Sequence, residues 1–306
     1  MMVVTILDGG MGRELERSGA PFKQPEWSAL ALIESPEHVA RAHDAFASAG
    51  ARVITTNSYA VVPFHIGEER FRTDGLRLAR LAGELARSVA DRHGIKVAGS
   101  LPPVLGSYRP DLFTVEEARP ILEVLIDGLS PSVDHWLAET QSSLAEVRLV
   151  RDLLGDDPRP LWLSFTLDDH DSKAVLEGRD APRLRSGESV ADAARLAAEL
   201  GASALLFNCS QPEVMEAAVR AAREALGPIP MEIGVYANAF TSEADDAAAN
   251  ETLHGIRADL TPPGYLRWAR SWVDAGATMV GGCCGISPEH ITELSQHLND
   301  GARAQA

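Results

Sequence analysis

The sequence is poor in cysteine, in basic residues and in long apolar runs, and each shortage excludes something. Three cysteines in 306 residues cannot build a disulfide framework, so the fold must rest on a hydrophobic core, which a chain of this length can bury. Against 44 Asp and Glu stand only 28 Lys and Arg, a formal net charge of −16. Nucleic acid is therefore excluded as a partner, because there is no basic excess to exchange for its counterions. Solubility accounts for most of the acidic balance, which also suits a cationic small substrate. No apolar run approaches the roughly 20 residues that span a bilayer, so a membrane is not expected as a partner either. The opening MMVVTILDGGMG lacks the basic and longer apolar stretches of a secretory leader. The expected location is cytoplasmic, where thiols stay reduced.

What is present is a regular alternation. Continuously apolar runs suited to strands covered on both faces lie at 3–10, 51–59, 96–102, 133–140, 160–166, 203–209, 231–238 and 278–284. Helical stretches lie between them, at 36–50, within 75–94, and at 190–201, 212–227, 263–276 and 288–298. Several open on Pro or an acidic residue and close on Gly. Eight β/α units without a Pro/Ser-rich linker predict an α/β fold: a single (β/α)8 TIM barrel over 1–300 with a flexible tail at 301–306. A doubly wound open sheet is the alternative. Two loops, 167–188 and 239–262, are longer than a barrel needs and suit lids or interfaces. The oligomeric state is left open.

The unusual residues fall at the C-terminal ends of the predicted strands: Asp8, Asn57, Tyr59, Glu139, Asn208, Cys209, Cys283 and Cys284. In a barrel those ends converge on one mouth, the expected active site. A lone cysteine is most simply a small apolar core residue; three of them at strand ends beside glycines fit that less well. A bond between adjacent Cys283 and Cys284 would need a strained ring. As metal ligands, Cys209, Cys283 and Cys284 would fill three corners of a zinc tetrahedron and leave one open, the catalytic pattern. Gly281, Gly282 and Gly285 would permit the backbone this requires. His170, in LDDHDS, reads as solvated. The turn LDGGMGREL lacks the spacing of a phosphate cradle. It is either a tight βα turn or, with the amides of Gly9 to Gly12 and the carboxylates of Asp8 and Glu139, an amino-acid clamp. Trp136 and Trp162 read as core; Trp27 and Tyr59 could face a cation through their rings.

The segments LDGGMGREL, AGARVITTNSY, HWLAET, FNCSQP and VGGCCGISPEHI together resemble the zinc-dependent homocysteine S-methyltransferase family over nearly the whole chain. That family is also a (β/α)8 barrel. The resemblance implies Zn²⁺ on Cys209, Cys283 and Cys284, which act in catalysis through the metal. It implies that Asp8 and Glu139 orient the homocysteine amino group, and that the amides around Gly9, Gly10 and Met11 hold its carboxylate. It places Tyr59 near the metal and Trp27 near the methyl donor, and matches Asn208 to the family's asparagine before the first zinc cysteine. Asn57, Thr140 and Asn208 are expected around the substrates, the alternative for Asn57 and Asn208 being that they satisfy backbone groups at the strand ends. Thr140 stands where the betaine-using branch carries tyrosine, and SLPP, GSYRPD and VYANAF depart from the commoner segments. The implied reaction moves a methyl from a sulfonium donor, S-methylmethionine or S-adenosylmethionine, to homocysteine, forming methionine. Alternatives are betaine or a corrinoid-bound methyl at the same site, a redox protein cycling Cys283–Cys284, or a barrel that zinc merely stabilises.

Overall fold

In β6 (Ala204–Asn208), Ala204 and Leu206 lie in one apolar cluster while Leu205 and Phe207 lie in another. The first cluster fills the inside of a barrel, with Leu7, Val53, Ala98, Leu137, Trp162, Tyr236 and Met279. The second lies between the sheet and an outer layer of helices. Both faces of the strand are dry, which is why the sequence runs apolar without alternation.

The computed structural model describes residues 3–240 and 256–299. Its other strands are β1 (Thr5–Ile6), β2 (Val53–Thr55), β3 (Lys96–Leu101), β4 (His135–Gln141), β5 (Leu161–Phe165), β7 (Glu232–Tyr236) and β8 (Met279–Val280). Each predicted run holds one of them, trimmed at one or both ends, except that β4 continues one residue past its predicted end, to Gln141. All pairings are parallel, in the order β1-β8-β7-β6-β5-β4-β3-β2. A parallel bridge between Leu7 and Val53 joins the two ends, and the Arg52 amide donates to Ile6 O at 2.7 Å beside it. The sheet is thus a closed (β/α)8 barrel, and the open doubly wound alternative falls.

The helices are α1 (Met11–Arg17), α2 (Ser28–Glu34), α3 (Pro36–Ser48), α4 (Pro63–Ile66), α5 (Glu68–His93) and α6 (Val115–Leu129). They continue as α7 (Leu144–Leu154), α8 (Ser172–Leu176), α9 (Val190–Glu199), α10 (Pro212–Leu226), α11 (Pro262–Ala275) and α12 (Pro288–His297). Proline opens α3, α10, α11 and α12, as their sequences announce. Side chains start others: Thr114 accepts from Glu117 N in α6, and Ser143 with Glu146 forms a capping box on α7. Past α12, Asn299 accepts from Val4 N and donates to Val4 O, both at 2.9 Å. This side chain acts as a short extra strand that ties the end of the chain to the edge of β1.

Loop 167–188 carries α8 and two antiparallel bridges, Leu167–Leu184 and Arg183–Ser189. The other long loop falls mostly on 241–255, and the tail on 301–306; both lie outside the described residues.

His43 on α3 is fully buried, and neither ring nitrogen has a hydrogen-bond partner among the described residues. Burial alone holds its pKa down, from 6.5 to about 4. The unfolded chain therefore binds the extra proton first, and stability falls as the pH drops from 6.5 towards 4. His43→Leu should remove this penalty, about 2 kcal/mol at pH 5. Melting temperatures of both proteins at pH 5 and pH 7.5 check it: the gap between them should widen at the lower pH.

Candidate active site

Two residues past β8 the chain leaves the sheet, and Cys283 and Cys284 lie in a turn closed by Ile286 N donating to Cys283 O at 3.1 Å. The predicted strand 278–284 thus ends early. The turn is stitched to both neighbouring strand ends. Cys283 N donates to Ala237 O, Ala239 N to Cys284 O, and Gly282 N to Asp8 O, all within 2.9 Å. Gly10 must be glycine here, because a Cβ would meet Cys283 O at 2.5 Å. At Gly282 a Cβ would run into the Ile286 side chain.

Cys209 comes in from the end of β6 with a left-handed backbone, φ 49°. Its Sγ lies 4.0 Å from that of Cys284, and Cys283 Sγ lies 3.9 Å from the same atom. Cys209 and Cys283 are joined as a disulfide with their Cα atoms 5.6 Å apart. The bonded pair is therefore not the adjacent Cys283 and Cys284 that a redox reading would use. Adjacent residues cannot easily bring both sulfurs together, whereas separate strand ends can.

The three sulfurs form a group with metal-ligand spacing among the described residues. Thiolates on a zinc tetrahedron, each about 2.3 Å from the metal, stand roughly 3.8 Å apart. Two of the three separations match that figure, and the third would open to it on reduction. The donor set fits a metal that accepts three thiolates.

Asp8 and Glu139 flank this cluster. Asp8 is buried; its Oδ2 accepts from Thr55 N at 2.7 Å and its Oδ1 from Thr55 Oγ1 at 3.2 Å. Glu139 Oε2 accepts from Ser100 Oγ at 2.7 Å. Desolvation pushes both carboxyls up to about 7, and Glu139 adds repulsion at Asp8. Burial, then the Glu139 charge, pushes the Cys284 thiol up as well, to about 12. Every one of these shifts opposes further negative charge, so the site is built for a cation.

The remaining predicted residues divide. Trp27, also left-handed at φ 48°, sits edge-on to Tyr59 at 6.0 Å and beside Phe22 at 6.2 Å. Together they form an aromatic wall above α1. Tyr59, however, bonds Ser107 Oγ at 2.7 Å through its hydroxyl. Thr140 lies where the β4 register shifts, with φ 58°. That is a strained conformation for a β-branched residue, of the kind found at active sites.

Asn208 is fully buried. It donates to Thr140 Oγ1 and accepts from Ser164 Oγ, both at 2.8 Å. One bond at each end of its amide ties it to β5 and to Thr140, which it supports. Asn57 likewise donates to Ser28 O at 3.1 Å and pins α2. Among the clamp amides, Gly10 N is engaged by Ile286 O at 2.9 Å. Of the expected clamp amides, those of Gly9, Met11 and Gly12 are the ones not taken by this bond. Thr55, Ser100, Tyr236 and Ser107 are not among the site residues expected from the sequence. Period-two alternation from the lumen-facing Val53, Ala98 and Gly234 would have pointed to the first three.

A closed barrel whose strand ends gather three cysteine sulfurs and two desolvated carboxyls at one mouth is the scaffold of an enzyme, with a sulfur group there that could hold a metal. The homocysteine S-methyltransferase family model matches residues 5–298, and the chain belongs to that family. It is 31% identical to the homocysteine S-methyltransferase of Escherichia coli strain K12, over 95% of this chain and 94% of that one. The crystal structure of an Escherichia coli homocysteine methyltransferase in its metallated form superposes with a TM-score of 0.72, at 27% identity and 95% coverage of both chains. The oxidized form of that enzyme gives 0.73 at 26% identity, covering 99% of this chain and 96% of that one.

The disulfide uses two of the three sulfurs that a metal would need. Protein oxidised at Cys209–Cys283 should therefore bind less than a tenth of the zinc taken up after reduction. Thiol titration beside elemental analysis checks this: one free thiol should accompany low zinc, and three should accompany about one equivalent.

Proposed function

We propose that this protein transfers a methyl group from a sulfonium donor, S-methylmethionine or S-adenosylmethionine, to the sulfur of homocysteine, at a zinc ion held by Cys209, Cys283 and Cys284. The observation that carries the reading is the meeting of three cysteine sulfurs with two desolvated carboxylates at one barrel mouth. Zinc bound there would lower the pKa of the substrate thiol, otherwise about 8.5, so that its sulfur is nucleophilic at neutral pH.

The chain's own groups do the rest. Asp8 and Glu139 hold the substrate ammonium, whose charge relieves their desolvation. Thr55 and Ser100 keep the two carboxylates aimed. The amides of Gly9 and Met11 face the substrate carboxylate. In the transfer the carbon–sulfur bond of the donor breaks and its electron pair stays on the departing sulfide, while the homocysteine sulfur forms the new bond to the methyl. The thiol proton leaves before this step, so no general base is needed at the moment of transfer. Trp27, Phe22 and Tyr59, packed ring against ring, would offer a cationic donor an aromatic surface, an attraction lost once the donor becomes a neutral sulfide. Holding methyl and sulfur in line at about 3–3.5 Å is then the main contribution of the barrel. Small molecules are the only partners this requires. No helix among the described residues is long and apolar enough to cross a membrane.

Cys284→Ser should lower zinc content and methionine formation at least tenfold; full retention of both would sink the metal assignment. Activity with S-methylmethionine, S-adenosylmethionine and betaine in parallel identifies the donor, and betaine should be the poorest. Glu139→Gln should raise the KM for homocysteine about tenfold to a hundredfold, the worth of a charged hydrogen bond. In the unaltered enzyme the same KM should climb as the pH falls below about 7, where Asp8 and Glu139 take up protons and lose their hold on the ammonium. Steady-state kinetics from pH 5.5 to 8.5 reads this directly, and a KM that stays flat over the range counts against the ammonium clamp.

A further inference from the structure

The left-handed backbone of Cys209, φ 49°, is one that side chains rarely adopt, and it persists only where surrounding groups enforce it. Its amide donates to Tyr236 O at 3.2 Å. Its carbonyl accepts from the hydroxyl of Tyr108, also at 3.2 Å. Tyr108 belongs to the segment after β3, and β3 is separated from β6 by β4 and β5 in the barrel order. This hydrogen bond thus reaches past two strand ends to the backbone of Cys209. Tyr108 is itself left-handed, at φ 62°, so two strained residues are joined to each other.

Tyr108 is braced in turn. The Arg185 guanidinium lies over its ring, 4.4 Å from the centroid. Arg185 comes from loop 167–188 and is fixed by Asp169 at 2.6 Å and by Thr166 Oγ1 at 3.2 Å. The other oxygen of Asp169 accepts from Gln211 N at 2.9 Å, two residues beyond Cys209. The stacked pair and its carboxylate therefore grip the Cys209 turn at two points, the carbonyl of Cys209 itself and the amide of Gln211. On the other side, Ser107 bonds Tyr59 from the end of β2. Nothing in the resemblance to known enzymes gave Tyr108 or Arg185 a task.

We propose that Tyr108 is a positioning residue for the metal centre: its hydroxyl, braced by Arg185, fixes the Cys209 peptide so that the Cys209 sulfur stays aimed at those of Cys283 and Cys284. The amide of Cys209 is tied to β7 through Tyr236 O, and its carbonyl is the side of that left-handed peptide that Tyr108 holds. The inference rests on the zinc reading above. It assigns loop 167–188 a purpose as well, since that loop supplies the arginine that keeps the tyrosine in place.

The test uses the full-length reduced protein and two variants, Tyr108→Phe and Arg185→Met. Each is titrated with zinc against a chromophoric chelator, and each is loaded with Co²⁺ to read the thiolate-to-metal charge-transfer band. Groups that support metal ligands from behind are worth about tenfold to a hundredfold in affinity. Tyr108→Phe should therefore bind zinc about tenfold more weakly and show a shifted, weaker cobalt band. Arg185→Met should move both in the same direction by a smaller factor. If Tyr108→Phe keeps wild-type affinity and an unchanged band, the proposal is wrong while the zinc reading stands. A lowered melting temperature with an unchanged band would mean a merely structural role and would also overturn it. Should Tyr108→Phe fail to fold, Arg185→Met decides alone by the same two readouts. If the unaltered reduced protein binds no zinc, the metal reading falls, and this proposal with it.

Discussion

Charge burial at the barrel mouth governs the rest of the structure. Asp8 and Glu139 sit near one another and near three cysteine sulfurs, all groups whose charged forms are negative. Such a cluster is unfavourable unless something positive enters it or its members stay protonated. The protein lowers the cost with Thr55 at Asp8 and Ser100 at Glu139, but both carboxyls remain raised. Positive charge is what would relieve the cluster, and the proposed metal, ammonium and sulfonium donor would each bring it.

Holding those groups in place demands a backbone that ordinary strands do not provide. Thr140, Cys209, Trp27 and Tyr108 all adopt left-handed conformations; Thr140 lies at a register shift, Cys209 and Tyr108 in segments that follow strands, and Trp27 at the start of α2. Each is held by partners from another element. Asn208 supports Thr140, Tyr108 supports Cys209, and Arg185 lies over Tyr108. The mouth is in this sense two layers deep, with a ring of sulfurs, carboxylates and aromatics resting on a ring of amides, hydroxyls and one guanidinium. The strain is shared between the rings, at Cys209 and Trp27 in the inner one and at Thr140 and Tyr108 in the outer one, and contacts from other elements hold it.

The barrel was legible because both faces of each strand are dry. Runs such as SALLFNC and PLWLSFT could hardly be anything but covered parallel strands, and every one holds an observed strand. The site was legible for a different reason: Asp8, Glu139, Cys209 and the cysteine pair all end such runs, and strand ends converge whatever their distance along the chain. Legibility stopped at the supports. A serine or threonine on a strand, such as Ser100 or Thr55, carries no mark of the carboxylate it will bond. Nor does the position of Asn208 beside Cys209 tell that its amide bonds Thr140 and Ser164.

The sequence by itself determined the alternation of strands and helices, the acidic balance and the set of groups that would meet at the mouth, because these depend on residue type and on spacing within one element. Only the tertiary structure decided which sulfurs come together and which hydroxyl orients which carboxylate. It also decided that Tyr108 reaches Cys209 across 101 residues of sequence. The reason is the closure of the barrel. Contacts between strand ends follow from how eight strands wrap around one axis, and no local pattern of residues encodes where that wrapping will set a side chain down.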